Sequence, residues 1–255
     1  MNNIKDSGKD PEQGAWRFEL KYRISIFDYY KIRIAIVPYM RKDHFTQIAP
    51  SGKYLVRSLY YDTYDYRLYQ EKMNGDHERV KFRLRTYSRE IDRNPVIRTE
   101  MKIRKGNATE KHGVLVTVDD YCFFKNNHHW PNNTDPVLNE FERCLHLWAL
   151  QPKVLVEYFR EGYEDRNKKG LRITFDHKVS GIHADTLFPP DPVFFREFHP
   201  HILVLEIKCR QEQPTWLRNL IREYGLRWVA NSKFTQGIQC ARKDLHYPGG
   251  VVVVR

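Results

Sequence analysis

Between Glu78 and Tyr87 the chain reads Glu-Arg-Val-Lys-Phe-Arg-Leu-Arg-Thr-Tyr, so that Arg79, Lys81, Arg83 and Arg85 alternate with Val80, Phe82 and Leu84. Side chains of a β-strand have a period of two, and a strand here would project all four cations from one face. A fixed row of cations suits the binding and neutralising of a polyanion. Arg meets phosphate oxygens with paired N–H donors, and Lys supplies a compact charge. A single basic strand also reads as the solvated outer face of an ordinary sheet, with its apolar set turned to the core.

The pattern recurs elsewhere. Arg17, Glu19, Lys21 and Arg23 share a face between Trp16 and Ile24; Arg98, Glu100, Lys102 and Arg104 do so between Ile97 and Lys105; Glu206, Lys208 and Arg210 do so after Leu205. Several strands, each with one charged and one apolar face, imply a closed sheet whose charges either lie outside a packed barrel or line its lumen. The net charge is +11, and residues 79–105 hold ten cations against three anions. That excess sits on two neighbouring strands instead of being spread over the surface as a solubilising coat. The chain of 255 residues suits one large or two small domains and is long enough to bury a sizeable core.

The ends carry little information. Met1 to Ala15 is polar and lacks an apolar signal-peptide region, so it reads as a disordered tail. Residues 244–255 read as a second tail, and 16–243 as the folded domain. No apolar run approaches the roughly 18 residues that a membrane span needs. Cys122, Cys144, Cys209 and Cys240 have neither CxxC spacing nor histidines at zinc-site spacing, which reads as reduced structural thiols in a cytoplasmic protein.

The elements that must position these charges follow in order. Trp16 to Ile24 reads as a strand. Phe27 to Met40 reads as an amphipathic helix with Phe27, Tyr30, Ile34 and Val37 at three- and four-residue spacing. Lys53 to Asp62 is a strand, Asp62 caps a short helix running to Lys72, and Asn74-Gly-Asp76 turns into the basic strand. Val96 to Lys105 pairs with it as an antiparallel hairpin, and His112 to Val118 adds a shorter strand. Tyr121 to Pro136 reads as a loop and Leu138 to Leu150 as a helix. Lys153 to Glu161 and Gly170 to Asp176 form a second basic hairpin, with Arg160 and Arg172. Ile202 to Arg210 is the last long strand. Pro214 opens a helix over Thr215 to Tyr224, and Ser232 to Gln239 is a short closing helix.

Eight short segments, in order, carry a resemblance: Phe18-Glu-Leu-Lys-Tyr22, Ser58-Leu-Tyr-Tyr-Asp-Thr63, Lys81-Phe-Arg-Leu-Arg85, Glu100-Met-Lys102, Tyr158-Phe-Arg160, Leu171-Arg-Ile-Thr-Phe-Asp176, Leu205-Glu-Ile-Lys208 and Ser232-Lys-Phe234. Over residues 16–240 the chain resembles the VTC domain, the polyphosphate polymerase domain within the triphosphate tunnel metalloenzymes of the CYTH-like superfamily. The resemblance implies an α+β fold: a mostly antiparallel β-barrel tunnel with helices packed outside. It further implies that Lys21, Arg83, Arg85, Lys102, Arg160, Arg172 and Lys233 grip the phosphates of ATP and of inorganic polyphosphate. Glu206 would hold Mn²⁺ or Mg²⁺. Glu19, Lys81, Glu100, Tyr158, Lys208 and Ser232 would be supporting contacts to substrate. A bacterial source is implied in the same way.

Phosphoryl transfer needs charge neutralised and atoms aligned more than it needs a covalent nucleophile, so a ring of cations and one metal can be the whole catalyst. Such a ring repels itself when empty. Glu19, Glu100, Glu157 and Glu206 offset part of that repulsion, which is also the purely structural account of them. Asp176 reads equally as a strand-end residue or a ligand. Tunnel enzymes that hydrolyse triphosphates often carry Glu-x-Glu-x-Lys in the first strand, whereas Arg17 stands at the first of those positions here. The change weakens metal-dependent activation of water and favours polymerisation over hydrolysis of inorganic or nucleoside triphosphates. A non-enzymatic polyphosphate-binding module is the third option. A tunnel too narrow for a duplex argues against DNA, and most aromatics fall at strand positions suited to core packing, so no nucleic-acid partner is expected. Any coupling of the product to a membrane would need a partner.

Overall fold

The computed structural model describes residues 18–241 except 107, 132, 133, 168, 169 and 211. Both expected tails, and with them Trp16 and Arg17, lie outside the described residues. In chain order the elements are β1 (Phe18–Ser25), α1 (Ile26–Ile36), β2 (Met40–Lys42), α2 (His44–Ile48), β3 (Tyr54–Asp62), α3 (Arg67–Asn74), β4 (Glu78–Thr86), β5 (Ile97–Lys105), β6 (Ala108–Val116), α4 (Val118–Asn127), α5 (Pro136–Leu147), β7 (Gln151–Asp165), β8 (Leu171–His183), β9 (Arg196–Glu197), β10 (Ile202–Cys209), α6 (Thr215–Glu223) and α7 (Lys233–Ala241).

The strands form one antiparallel sheet in the order β1-β10-β8-β7-β3-β4-β5-β6, with β2 added to β7 and β9 to β8. Among the described residues β1 and β6 are the two edges and do not pair, so the hydrogen-bonded ladder is not a closed ring. The sheet is nevertheless curled enough for Lys102 on β5 to reach Glu19 on β1, Nζ to Oε2 3.1 Å.

Strand alternation gives the curl its two faces. On the convex side Phe82, Leu84, Ile97 and Met101 pack under Tyr121, Phe124, Trp130 and Phe141 from α4, α5 and their linker. Tyr22, Ile24, Ile173, Phe175, Leu205 and Ile207 pack under α1 and α6. Helix α7 differs, because its Phe234 and Ile238 are buried with Tyr60, Val154 and Val156, which share the concave face with Ser58 and Tyr158. A Cβ on Gly237 would come within 2.8 Å of Val154 Cγ2, so the glycine sets how closely α7 enters the concavity.

Several element boundaries depart from the sequence expectations. Helix α1 turns Tyr29, Ile32 and Ile36 inward and leaves Phe27, Tyr30, Ile34 and Val37 exposed. Apolar residues occur on both sides of this helix, so spacing alone does not choose the buried stripe. Of the loop expected over Tyr121 to Pro136, the part up to Asn127 is helical and the described residues between His128 and Asp135 are irregular: Thr117 and Asp120 form a reciprocal capping box, Asp119 adds a negative charge to the first turn, and α4 follows. Asp62 does serve α3, but from a distance, its carboxylate accepting the N–H of Thr63, Leu68 and Tyr69 while the helix begins only at Arg67. The second hairpin is longer than expected, with β7 reaching Asp165 and β8 reaching His183.

Candidate functional site

Register places the charged residues. Lys21 pairs with Glu206 and Glu206 with Thr174; Glu19 pairs with Lys208 and Lys208 with Arg172. Tyr60 pairs with Arg83 and Arg83 with Glu100, while Ser58 pairs with Arg85 and Lys81 with Lys102. Directly opposed residues in a sheet share a face, so these side chains collect on the concave side, and the sheet's curl makes that side a lumen.

Within the lumen the cations are grouped around carboxylates. Glu100, 2% exposed, is met by Arg83, by Arg85 Nε at 3.7 Å and by Lys111 Nζ at 2.9 Å. Arg83 also donates to the Tyr60 hydroxyl at 3.1 Å and Arg85 to Ser58 Oγ at 3.2 Å. Asp176 is wholly buried; its Oδ1 accepts Arg160 Nε at 2.7 Å, and its Oδ2 accepts both Arg160 Nη2 at 2.9 Å and Lys233. Glu206 has Lys208 Nζ at 3.2 Å and Arg160 Nη2 at 3.9 Å. Glu19 bridges Lys21 at 2.9 Å and Lys102 at 3.1 Å. Tyr158 offers its ring face to Lys233 and Arg160, 4.5 and 5.2 Å from the centroid. Lys81 donates to Ser232 Oγ at 3.1 Å, which ties the start of α7 to β4.

The electrostatics follow from this packing. Burial alone would push each lumen carboxylate towards its neutral form, but the adjoining cations prevail. Glu19 is held at about 2 by Lys21 and Lys102; Glu100 is lowered by Arg83, Arg85 and Lys111; Asp176 by Arg160 and Lys233; Glu206 by Lys208, Lys21 and Arg160. Lys81 goes the opposite way: burial, then Lys21 and Lys102, press it well below the usual lysine range. Burial similarly lowers Lys102.

Arg172, opposite Lys208 across β8 and β10, has Asp43 Oδ2 at 3.3 Å and the Tyr54 hydroxyl at 3.5 Å. Glu157 does not offset the lumen charge. It lies on the opposite face of β7 from Tyr158 and Arg160, where it is bound by Arg57 at 2.8 Å and by Arg89. The sequence reading overlooked Lys111, Tyr60, Ser58, Asp43 and Thr174, and left Asp176 undecided. Lys111 lies one residue before the strand expected from His112, and in β6 it is opposite Lys102 on the lumen face.

Glu206 is the carboxylate suited to a divalent cation. It is buried, and beside it Thr174 Oγ1 is buried with no hydrogen-bond partner among the described residues. One carboxylate and one neutral oxygen fit Mg²⁺ or Mn²⁺ shared with substrate phosphates, the usual way such ions are held at phosphoryl-transfer sites. They do not make an all-protein cage, and no group of three or more metal-ligating side chains occurs among the described residues.

A curled antiparallel sheet whose concave face gathers buried arginines and lysines is the architecture of the triphosphate tunnel proteins. Within that class the chain belongs to the VTC domain family, whose sequence profile it matches over residues 16–242. Among solved structures, a candidate adenylate cyclase from Bacillus halodurans superposes with a TM-score of 0.52 at 10% identity, over 84% of this chain and 92% of its own. That likeness concerns the fold. A candidate adenylate cyclase from Vibrio parahaemolyticus aligns with a TM-score of 0.44 at 14% identity, covering 88% of this chain and 98% of its own. A protein from Pyrococcus horikoshii aligns at 0.42 and 12% identity, covering 86% and 97%. The comparison with curated proteins gave no match. No helix among the described residues is long and apolar enough to cross a membrane.

Proposed function

We propose that this chain is a polyphosphate polymerase that transfers the γ-phosphoryl group of ATP to the end of an inorganic polyphosphate chain and releases ADP. The observation that carries this reading is the way Glu100, Asp176 and Glu19 are each engaged by two or more cations, which leaves Glu206 as the one lumen carboxylate assigned to a metal. Hydrolysis by metal-bound water calls for carboxylates committed to the metal. Transfer to a chain end does not, because the terminal phosphate is already anionic near neutral pH, with a second pKa of about 6. The acceptor oxygen forms its bond to the γ-phosphorus as the bond to the β,γ-bridging oxygen breaks, and no side chain is consumed.

The residues divide the work. Arg83, Arg85 and Arg160, fixed by Glu100, Ser58 and Asp176, would hold the phosphates bidentately and in line. Lys21 and Lys233 would neutralise charge at the transferring group, with Lys81, Lys102 and Lys208 extending the track. Arg172 would meet the phosphates nearer the mouth, and Tyr158 and Ser232 would orient Lys233 and Lys81. Glu206 would hold a divalent ion together with the phosphates; bound there, the ion would supply further charge neutralisation in transfer.

The test is incubation of the purified protein with ATP and Mn²⁺, a gel stained for polyphosphate, and parallel assays of ADP and orthophosphate. Long chains with matching ADP are expected. Orthophosphate without chains would establish a triphosphate hydrolase instead. Tight polyphosphate binding without turnover would establish a binding module.

A further inference from the structure

We infer that the mouth of the lumen at the C-terminal end of β4 is a nucleobase-stacking site formed by Phe45, Tyr54 and Tyr87. The inference deepens the polymerase reading and rests on it, since it assigns where the nucleoside end of the triphosphate lies. The three rings form a triangle, with centroids 5.6 Å apart for Phe45 and Tyr54 and 6.2 Å for each of the other pairs. Phe45 and Tyr87 are nearly parallel, 9° between planes, yet 49% and 44% exposed. Aromatic faces left in water beside a charged lumen are suited to stacking a flat heterocycle, because every base has a π-face.

The local backbone is built to hold Phe45 there. Helix α2 has only five residues, and its single buried side chain is Thr46. It is clamped to β7 by Asp43 N–H donating to the Gly162 carbonyl at 2.9 Å and Gly162 N–H donating to Thr46 Oγ1 at 2.7 Å. Asp43 Oδ1 caps the Thr46 N–H at 2.8 Å. A Cβ on Gly162 would fall 1.9 Å from Asp43 Oδ2, so the clamp requires glycine at that place in the Tyr158, Arg160, Gly162 row. Core packing does not account for this investment, because Phe45 remains half in solvent.

The platform is continuous with the cations. Tyr54 pairs with Arg160 and its hydroxyl accepts from Arg172. Tyr87 lies two residues beyond Arg85, about 7 Å along the strand, a span a ribose can bridge. At the other end of β4, about 27 Å away, Arg79 faces Arg104 beside a cavity of about 240 Å³ lined by Gly75, Asp76, His77, Arg79, Arg104 and Gly106. That end presents charge and backbone, which suits a bare phosphate chain. The base therefore stacks at the Tyr87 mouth, the triphosphate points inward, and the chain runs past Lys81 and Lys102 towards Arg79 and Arg104.

The test is equilibrium binding of ATP, inorganic tripolyphosphate and long-chain polyphosphate to the full chain, a measurement independent of turnover. Phe45→Ala and Tyr87→Ala should each weaken ATP binding about 10- to 100-fold and leave tripolyphosphate within about two-fold. Phe45→Trp, which enlarges the ring face, should hold or tighten ATP and guards against loss of fold in the alanine variants. The double change Arg79→Ala with Arg104→Ala should weaken long-chain polyphosphate and spare ATP. Equal losses of ATP and tripolyphosphate in the aromatic variants, unchanged ATP binding, or loss of ATP in the arginine double variant would each overturn the assignment. Failure to form chains would overturn the polymerase reading while leaving this selectivity to be decided by its own measurement.

Discussion

Replacing Asp176 with Asn should make the protein less stable and a tighter binder of phosphate chains. The carboxylate is fully buried and balances Arg160, through paired contacts of 2.7 and 2.9 Å, together with Lys233. Asn keeps the shape and removes the charge. Removing one partner from a buried ionic group costs on the order of 3–5 kcal/mol, which lowers Tm by on the order of 10 °C in a domain of this size. The same change removes a negative charge from the wall of the proposed phosphate site. At an effective dielectric constant of about 20, one unit charge about 8 Å away contributes about 2 kcal/mol, so tripolyphosphate should bind about 30-fold more tightly at low salt. Ligand at 100 times its Kd should then return about 2.7 kcal/mol of stability. Thermal unfolding with and without tripolyphosphate, at low ionic strength, reads both effects. If Asp176→Asn melts with the parent protein in the absence of ligand, or binds tripolyphosphate more weakly, the electrostatic account of the lumen is wrong.

Other perturbations separate catalytic from structural roles. Arg83→Ala and Arg85→Ala should each reduce turnover by at least about 100-fold with Tm within a few degrees of the parent, because Glu100 keeps Lys111 and the remaining arginine; unfolding of both single variants would count against the tunnel reading. Glu206→Gln should lose metal-dependent turnover and keep most nucleotide binding, measured by direct titration. The lowered pKa values of Glu19, Glu100, Asp176 and Glu206 mean that the stability they supply is complete above their unfolded values of 4.5 and 3.8 and is lost as pH falls through the folded ones, about 2 for Glu19. Urea midpoints should therefore fall steadily below about pH 4.5, and a flat profile down to pH 2 would contradict the depressed values. Lys81, pressed down by burial and by Lys21 and Lys102, should hold its proton more tightly when phosphate arrives; calorimetry of tripolyphosphate binding across alkaline pH, in two buffers of different ionisation heat, should show linked proton uptake, and Lys81→Met should reduce it.

The basic strands were legible because alternation is local. Arg83, Arg85, Lys102, Lys21 and Glu206 share the concave face by the period of two, whatever the topology. The partnership of Arg160 with Asp176 was not, because it depends on the register between β7 and β8, and that register shifts between Glu157 and Phe159. Glu157 shows the limit from the other side: one residue from Tyr158, it belongs to the outer face and to Arg57 and Arg89. The buried stripe of α1 was illegible for a different reason, since Tyr and Ile occur on both of its sides and only the sheet beneath it selects one. Gly162 gave no sign of its role, because what it accommodates is Asp43, a residue more than a hundred positions away.

The pairing of Arg83, Arg85, Arg160, Lys21, Lys102, Lys208 and Lys233 with acids bears on the proposed turnover. The tunnel wall would then act as an ion-exchange bed whose eluant is tethered to it. On the polymerase reading, a phosphate arriving between Arg160 and Lys233 would compete with Asp176 for their charge, and as it moved on the same carboxylate would rebalance them, present at an effective concentration no dissolved ion can match. At those groups the empty lumen is therefore not a bare cluster of like charges. On the same reading, a polymer held by many such exchanges would advance one phosphate at a time, each step trading one set of ionic contacts for an equivalent set.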